Sequence, residues 1–155
     1  MSKNLVAYFS ASGITGKVAE ALSGLVDADL YEIKPAQLYS QADLNWMDNQ
    51  SRSSVEMREK NSRPEISGAL PNLGEYENIF IGFPVWWYTA PHIINTFLES
   101  CNISGKNIYV FATSGGSTVE KSFRDLKAAY PNANWKSGKL IRGRITRDML
   151  KGWFE

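Results

Sequence analysis

The stretch Leu5-Val6-Ala7-Tyr8-Phe9-Ser10-Ala11-Ser12-Gly13-Ile14-Thr15-Gly16-Lys17-Val18-Ala19 decides how this 155-residue chain folds. Its apolar run is too short for a helix and has no helical spacing, so it reads as a buried strand. The run stops at a cluster of hydroxyls and glycine. A helical pattern then begins, with Val18, Leu22 and Leu25 recurring on one face over about Thr15 to Leu25. A strand, a tight polar turn and a helix N-terminus together form an anion site. The first N–H groups of a helix lack internal partners, and the helix dipole places roughly half a positive charge there. Ser10, Ser12 and Thr15 offer hydroxyls, and Gly13 allows close backbone approach. The loop is expected to hold a phosphate.

The pattern repeats downstream. Asp29–Ile33 alternates apolar and acidic residues and reads as a second strand ended by Pro35. Residues 34–78 form a connection too long for a simple turn, which predicts a functional cover with a helix within about Met47 to Asn61, closed by Arg63-Pro64. Trp46, Arg52, Arg58 and Arg63 of this cover read first as salt-bridged packing and only second as ligand contacts. Two further buried strands, Asn78–Phe83 and Asn107–Thr113, end in Pro84-Val85-Trp86-Trp87-Tyr88-Thr89-Ala90-Pro91 and Ser114-Gly115-Gly116-Ser117. Helices are expected from about Ala90 to Cys101, with Pro91 in the first turn, and after a capping box at Ser117–Glu120, ending at Tyr130-Pro131. A weaker strand near Trp135–Leu140 and a final helix over Thr146–Phe154 complete the pattern.

Five strands alternating with helices predict one domain over residues 1–155, an α/β fold with a doubly wound parallel sheet. Ligands in such sheets sit beyond the carboxyl ends of the strands, where strand order reverses. With the order 2-1-3-4-5, the hydroxyl-rich, aromatic and Gly/Ser-rich loops meet on one rim.

Composition sets bounds on function. The single cysteine, Cys101, excludes a disulfide framework or a cysteine metal cluster, and its place in an apolar helix reads as packing. No apolar run reaches the roughly 18 residues of a membrane span, and the Met-Ser-Lys start leads straight into a strand. A cytoplasmic protein with no membrane partner is expected. The net charge is +1, but residues 136–155 hold 6 Lys/Arg against 2 Asp/Glu, while residues 1–135 hold 11 against 14. The basic tail reads as a solvated strand edge and terminal helix, and no nucleic-acid motif accompanies it.

The first loop is not a nucleotide-hydrolase loop. Against G-x-x-x-x-G-K-[ST], Gly16-Lys17 match, but Ala11 and Val18 stand at the first glycine and the magnesium-binding hydroxyl. The dinucleotide pattern G-x-G-x-x-G also fails at Ala11. A phosphate held by hydroxyls and N–H groups fits a monoester that serves as a handle, with the chemistry at a flat ring beside the tryptophans.

Taken together, Tyr8–Thr15, Gly82–Tyr88 and Ala112–Ser117 resemble the flavodoxin family, closest to bacterial flavodoxin-like proteins whose second loop reads Pro-x-Trp-Trp. The resemblance runs through the whole chain. It implies a flavodoxin-like three-layer α/β/α sandwich that binds FMN. Ser10, Ala11, Ser12, Gly13, Ile14 and Thr15 would surround the phosphate. Pro84, Val85, Trp86, Trp87 and Tyr88 would flank the ribityl chain and ring, with one of the two tryptophans packing into the core. Thr113, Ser114, Gly115 and Gly116 would approach the pyrimidine edge. Ile14 stands where Asn is more usual, and the third loop has no aromatic residue, which leaves one ring face open to a second substrate. His92, in the first turn of a helix where its charged form is disfavoured, is a minor candidate for substrate contact.

With FMN supplying the redox chemistry, no side chain is expected to act as nucleophile or base and no metal is required. The implied function is electron transfer through FMN to a redox partner protein or a small acceptor such as a quinone. The alternative is an NAD(P)H-dependent FMN reductase acting on quinones or nitro compounds, which the near-neutral charge, the open third loop and the long cover favour weakly. A flavodoxin-fold interaction module that binds FMN poorly is the third reading. Monomer and homodimer are both compatible with the sequence.

Overall fold

The computed structural model describes residues 3–113 and 118–154. Five parallel strands, β1 (Asn4–Tyr8), β2 (Ala28–Glu32), β3 (Asn78–Pro84), β4 (Asn107–Thr113) and β5 (Asn134–Ile141), form one sheet in the order β2-β1-β3-β4-β5. Helices α1 (Ile14–Leu25), α2 (Arg52–Arg58), α3 (His92–Ser100) and α4 (Glu120–Ala129) lie between them in the chain. The strand order is the expected one.

Alternation along the strands feeds two cores. Leu5, Ala7, Ile79, Ile81, Phe83, Ile108, Val110 and Ala112 face one side, where Ile93, Ile94 and Phe97 of α3 and Leu126 of α4 cover them. Val6, Phe80 and Phe111 face the other, under Val18 and Leu22 of α1 and Ile145, Leu150 and Trp153 of the C-terminal segment. Strands buried on both faces require the continuous apolar runs seen in the sequence. At Gly82 the missing side chain is replaced by a neighbour: the Phe111 ring lies where a Cβ would stand, at 2.0–2.6 Å from its ideal position.

The edge of the sheet where the strands begin carries an asparagine ladder. Asn4, Asn78, Asn107 and Asn134 are register partners on four adjacent strands. The Asn78 amide donates to the Asn4 side-chain carbonyl at 2.9 Å, Asn107 to Asn78 at 3.1 Å, and Asn134 to Asn107 at 3.4 Å, while the Asn4 amide donates to the Val26 carbonyl at 2.8 Å.

Three local expectations are corrected. The cover helix is only Arg52–Arg58, because the preceding residues form turns: Asn45 Oδ1 accepts from the Met47 N–H and Asp48 Oδ1 from the Gln50 N–H. Such side chains offer the backbone an alternative to helix. Ser51 then caps α2, accepting from the Ser54 N–H. Helix α4 starts at Glu120 with Val119 as its N-cap, later than the Ser117 box would place it, and Ser117 itself lies outside the described residues. The final helix is a 3₁₀ turn, Arg147–Leu150. The helix cannot run on to Trp153, because Lys151 is extended at φ −61°, ψ 129° and Gly152 follows at φ +78°.

The cover is closed at its neck by an antiparallel bridge between Pro35 and Ile66, with the Ala36 N–H donating to the Glu65 carbonyl and the Ser67 N–H to the Lys34 carbonyl. Its body is tied down by Tyr39, whose ring packs edge-on against Phe9 and Trp86. Glu56 accepts from the Tyr39 hydroxyl and from Arg52 Nε, and the Arg52 guanidinium lies 3.8 Å from the Tyr39 ring centre. Arg63 pairs with Glu99 of α3 at 3.0 Å.

Candidate functional site

The rim where the strands end brings the first two loops together. Backbone bonds stitch the strand ends beneath them: the Phe9 N–H donates to the Gly82 carbonyl of β3 at 2.9 Å, and the Val85 N–H to the Thr113 carbonyl of β4 at 3.0 Å. A third link is buried, with the Thr15 and Thr113 hydroxyls 2.7 Å apart. Thr15 is 2% exposed, so its hydroxyl braces β4 against α1 and is not a donor facing solvent.

The loop between β1 and α1 is shaped by Ser10. Its Oγ accepts from the N–H groups of Gly13 and Gly16, both at 3.1 Å, which closes the turn and leaves the hydroxyl proton to donate outward. Gly13 caps α1 at φ +92°, a left-handed conformation that glycine adopts without strain, and the space beside it is open. Among the described residues no partner is present for the N–H groups of Ile14 and Thr15 in the first turn, and that turn carries no acidic side chain. Ser12 is exposed and Ala11 packs against the core. These are donors without a carboxylate, a set suited to a phosphate. The Ile14 side chain points away from this role: it is 61% exposed and lines a cavity with Lys17 and Arg144.

Beyond Pro84 and Val85 the chain makes a two-residue hairpin. Trp86 and Thr89 exchange both backbone hydrogen bonds, at 2.9 and 3.0 Å, around Trp87 and Tyr88. Both central residues have positive φ, +49° and +67°, the signature of a type I′ turn, which ordinarily takes Asn-Gly. The turn separates the tryptophans. Trp86 packs edge-on against Phe9 and Tyr39, while Trp87 and Tyr88 stand at the rim, Tyr88 65% exposed. Thr89 Oγ1 donates to Asp125 of α4 at 2.9 Å, fixing the far side of the turn. Aromatic residues held in left-handed backbone are strained, and such strain gathers at functional sites. Replacing Trp87-Tyr88 by Asn-Gly is expected to raise the urea midpoint, by about 1–2 kcal/mol of stability from relieved backbone strain. Unchanged stability would show that the turn is unstrained.

Of the expected site residues, Ser10 to Thr15, Pro84 to Tyr88 and Thr113 are gathered on this rim, and Ser114, Gly115 and Gly116 lie outside the described residues. His92 opens α3 and faces the cover instead of the rim loops: its Nδ1 is 2.6 Å from Ser62 Oγ. Because the Ser62 hydroxyl donates to the Glu56 carbonyl at 2.6 Å, its oxygen accepts and Nδ1 carries the proton. Burial, helped by the Arg63 charge, holds the imidazole below its ordinary pKa, against the Glu56 and Glu59 carbonyls and the Glu56 carboxylate, which pull it up. The folded protein therefore prefers His92 neutral. Stability from this site is complete above the ordinary value of 6.5 and is lost as pH falls through the lower folded value. His92→Gln is expected to flatten the acid side of a plot of urea midpoint against pH; an unaltered slope would exclude His92 as the titrating group. Cys101 is half-buried and burial pushes its thiol up to about 11, so it packs and does not react.

Among the described residues there is no group of three or more His, Cys, Asp and Glu arranged to hold a metal, and no helix long and apolar enough to cross a membrane.

Comparison with known proteins fits this geometry. The family model for flavodoxin matches residues 3–155. A search of curated protein sequences gave no match. Among solved structures, a candidate flavoprotein from Bacteroides eggerthii is 49% identical with a TM-score of 0.94, covering 99% of this chain and 96% of its own. One from Bacteroides uniformis is 48% identical with a TM-score of 0.93, covering 98% and 97%. A Lactobacillus acidophilus flavoprotein crystallised with FMN is 23% identical, with a TM-score of 0.77 over the full length of both chains.

Proposed function

We propose that this chain, which belongs to the flavodoxin family, binds FMN at the rim formed by Ser10–Thr15, the Trp87–Tyr88 turn and the end of β4, and transfers electrons through it. The observation that carries the reading is the phosphate cradle. Ser10 uses its oxygen to hold the turn and keeps its proton for the ligand, while the first-turn N–H groups of α1 face outward with no competing carboxylate. A phosphate dianion there gains charge-assisted hydrogen bonds and the helix dipole. The FMN-bound Lactobacillus protein shares the fold and supports the same reading.

When bound, FMN supplies one- and two-electron redox chemistry. The protein's part is binding, orientation and water exclusion. Ser10, Ser12 and the α1 N-terminus anchor the phosphate. Trp87 and Tyr88 present apolar rings at the rim, and the Thr15–Thr113 pair keeps the loops around β1 and β4 in register. No side chain need take up or release a proton for this role.

The acceptor is a redox partner protein or a small molecule. The NAD(P)H-dependent reductase reading gains weight from one observation, a cavity between the cover and Trp87. Purified protein passed through a desalting column after mixing with FMN is expected to stay yellow with its flavin fluorescence changed; colourless protein would refute cofactor binding and favour an interaction module. Mixing the loaded protein anaerobically with NADPH or NADH separates the rest. Rapid bleaching without a partner reductase identifies the enzyme, and unchanged colour identifies the carrier.

A further inference from the structure

Two of the four cover residues singled out in the sequence do what packing predicts: Arg52 pairs with Glu56 and Arg63 with Glu99. Trp46 and Arg58 do not. They meet Asn49, Ser54, Met57 and Trp87 around a cavity of about 280 Å³ between the cover and the β3 turn.

The lining has a definite chemistry. Trp46 is 70% exposed and Trp87 42%, so two indoles border one cavity with their burial incomplete. Trp87 is held there by a backbone conformation that aromatic residues rarely adopt. Met57 adds a polarizable wall that adapts to flat rings. Arg58 Nη1 donates to the Asn49 carbonyl at 2.8 Å, which tethers the guanidinium at the cavity. Among the described residues no carboxylate pairs with it, so its other N–H donors remain for a ligand. Ser54 spends its proton on the Asp48 carbonyl, so the charged donor is Arg58. The volume lies just under the roughly 300 Å³ at which drug-sized pockets begin, which suits one or two fused rings with a small substituent.

We propose that this cavity binds a planar aromatic anion, with its rings against Trp46 and Trp87 and its single anionic group on Arg58. The binding stands on these residues alone; that the ligand lies beside the flavin, where it could exchange electrons, rests on the FMN reading above.

The test is calorimetric titration of the purified protein, with and without FMN, using naphthalene-2-sulfonate and the neutral 2-naphthol. Saturable one-to-one binding of the sulfonate is expected in both forms. Arg58→Gln is expected to weaken the sulfonate about tenfold and to leave 2-naphthol within about twofold, the loss of a charge-assisted bond. Trp46→Ala is expected to weaken both ligands about tenfold, the loss of a stacking surface. Trp46 and Arg58 are both exposed, and retention of FMN by both variants, measured on the same samples, reports on the neighbouring site. No saturable binding, binding indifferent to both substitutions, or displacement of FMN by the sulfonate would each overturn the proposal. Normal FMN retention without sulfonate binding defeats this inference alone; sulfonate binding by a protein that retains no FMN defeats only the cofactor reading.

Discussion

Gly82→Ala is expected to destabilise the fold by about 3 kcal/mol, at the upper end for overpacking a core. A Cβ built on Gly82 would lie 2.0 Å from Phe111 Cζ and within 2.6 Å of two further ring atoms. Phe111 cannot swing aside cheaply, because it is fully buried in the core formed with Phe80 and Ile141. Backbone retreat is equally constrained: Gly82 pairs with Tyr8 on one side and Phe111 on the other, and its carbonyl accepts from the Phe9 N–H. Urea denaturation of the single variant measures the loss. A double variant with Phe111→Leu should be more stable than Gly82→Ala alone, since the smaller side chain vacates the contested volume. A double variant less stable than the single would show that the clash is not the cause.

Ser10→Ala is expected to weaken FMN binding about 100-fold, equivalent to about 2.7 kcal/mol. Two effects combine. The hydroxyl that would donate to the phosphate disappears, and the Gly13 and Gly16 N–H groups lose the acceptor that closes the turn. The second effect also acts without cofactor and should lower apoprotein stability by about 1 kcal/mol. Ser12 separates the two. It is exposed, and among the described residues its side chain makes no hydrogen bond within the protein, so Ser12→Ala should reduce FMN affinity and leave the apoprotein midpoint unchanged. Fluorescence titration of FMN and urea denaturation of both variants measure these outcomes. An apo-stable Ser10→Ala that binds FMN normally would remove Ser10 from the cradle.

The fold was legible because its strongest determinants are local. Apolar runs such as Asn78–Phe83 admit only a strand buried on both faces, and each ends in residues that cannot continue it. What sequence periodicity misread were segments where side chains compete with backbone. Asn45 and Asp48 bind neighbouring N–H groups and hold turns where a helix was expected. Over Thr146–Phe154 a helix was expected, but Lys151 is extended and Gly152 stands at φ +78°, so the 3₁₀ turn stops at Leu150.

The site was legible in part for the same reason. The β1–α1 loop is a contiguous motif whose hydrogen bonds run from Ser10 to Gly13 and Gly16. The roles of Trp86 and Trp87 were not readable, because they depend on a turn type that rules based on glycine and asparagine would not assign to Trp-Tyr. The Thr15–Thr113 pair spans 98 positions and leaves no local trace. The cavity beside Trp46 and Arg58 was missed for lack of any spacing rule. Its available signal was Trp46, a tryptophan in an otherwise polar stretch of the cover, with Met57-Arg58 further along the same cover.

The asparagine ladder gives the sheet a reference line at the end opposite the candidate site. Four side-chain amides joined head to tail fix where β1, β3, β4 and β5 start relative to one another, whatever residues occupy the loops at the other end. A parallel strand displaced by one residue would present its apolar set to the wrong layer, and here that displacement would also break the amide chain. The loops at the opposite rim are thereby relieved of sole responsibility for alignment, which they share through contacts such as the Thr15–Thr113 pair. They can exchange hydroxyls for aromatics, or hold strained turns, while the strands beneath them keep their places.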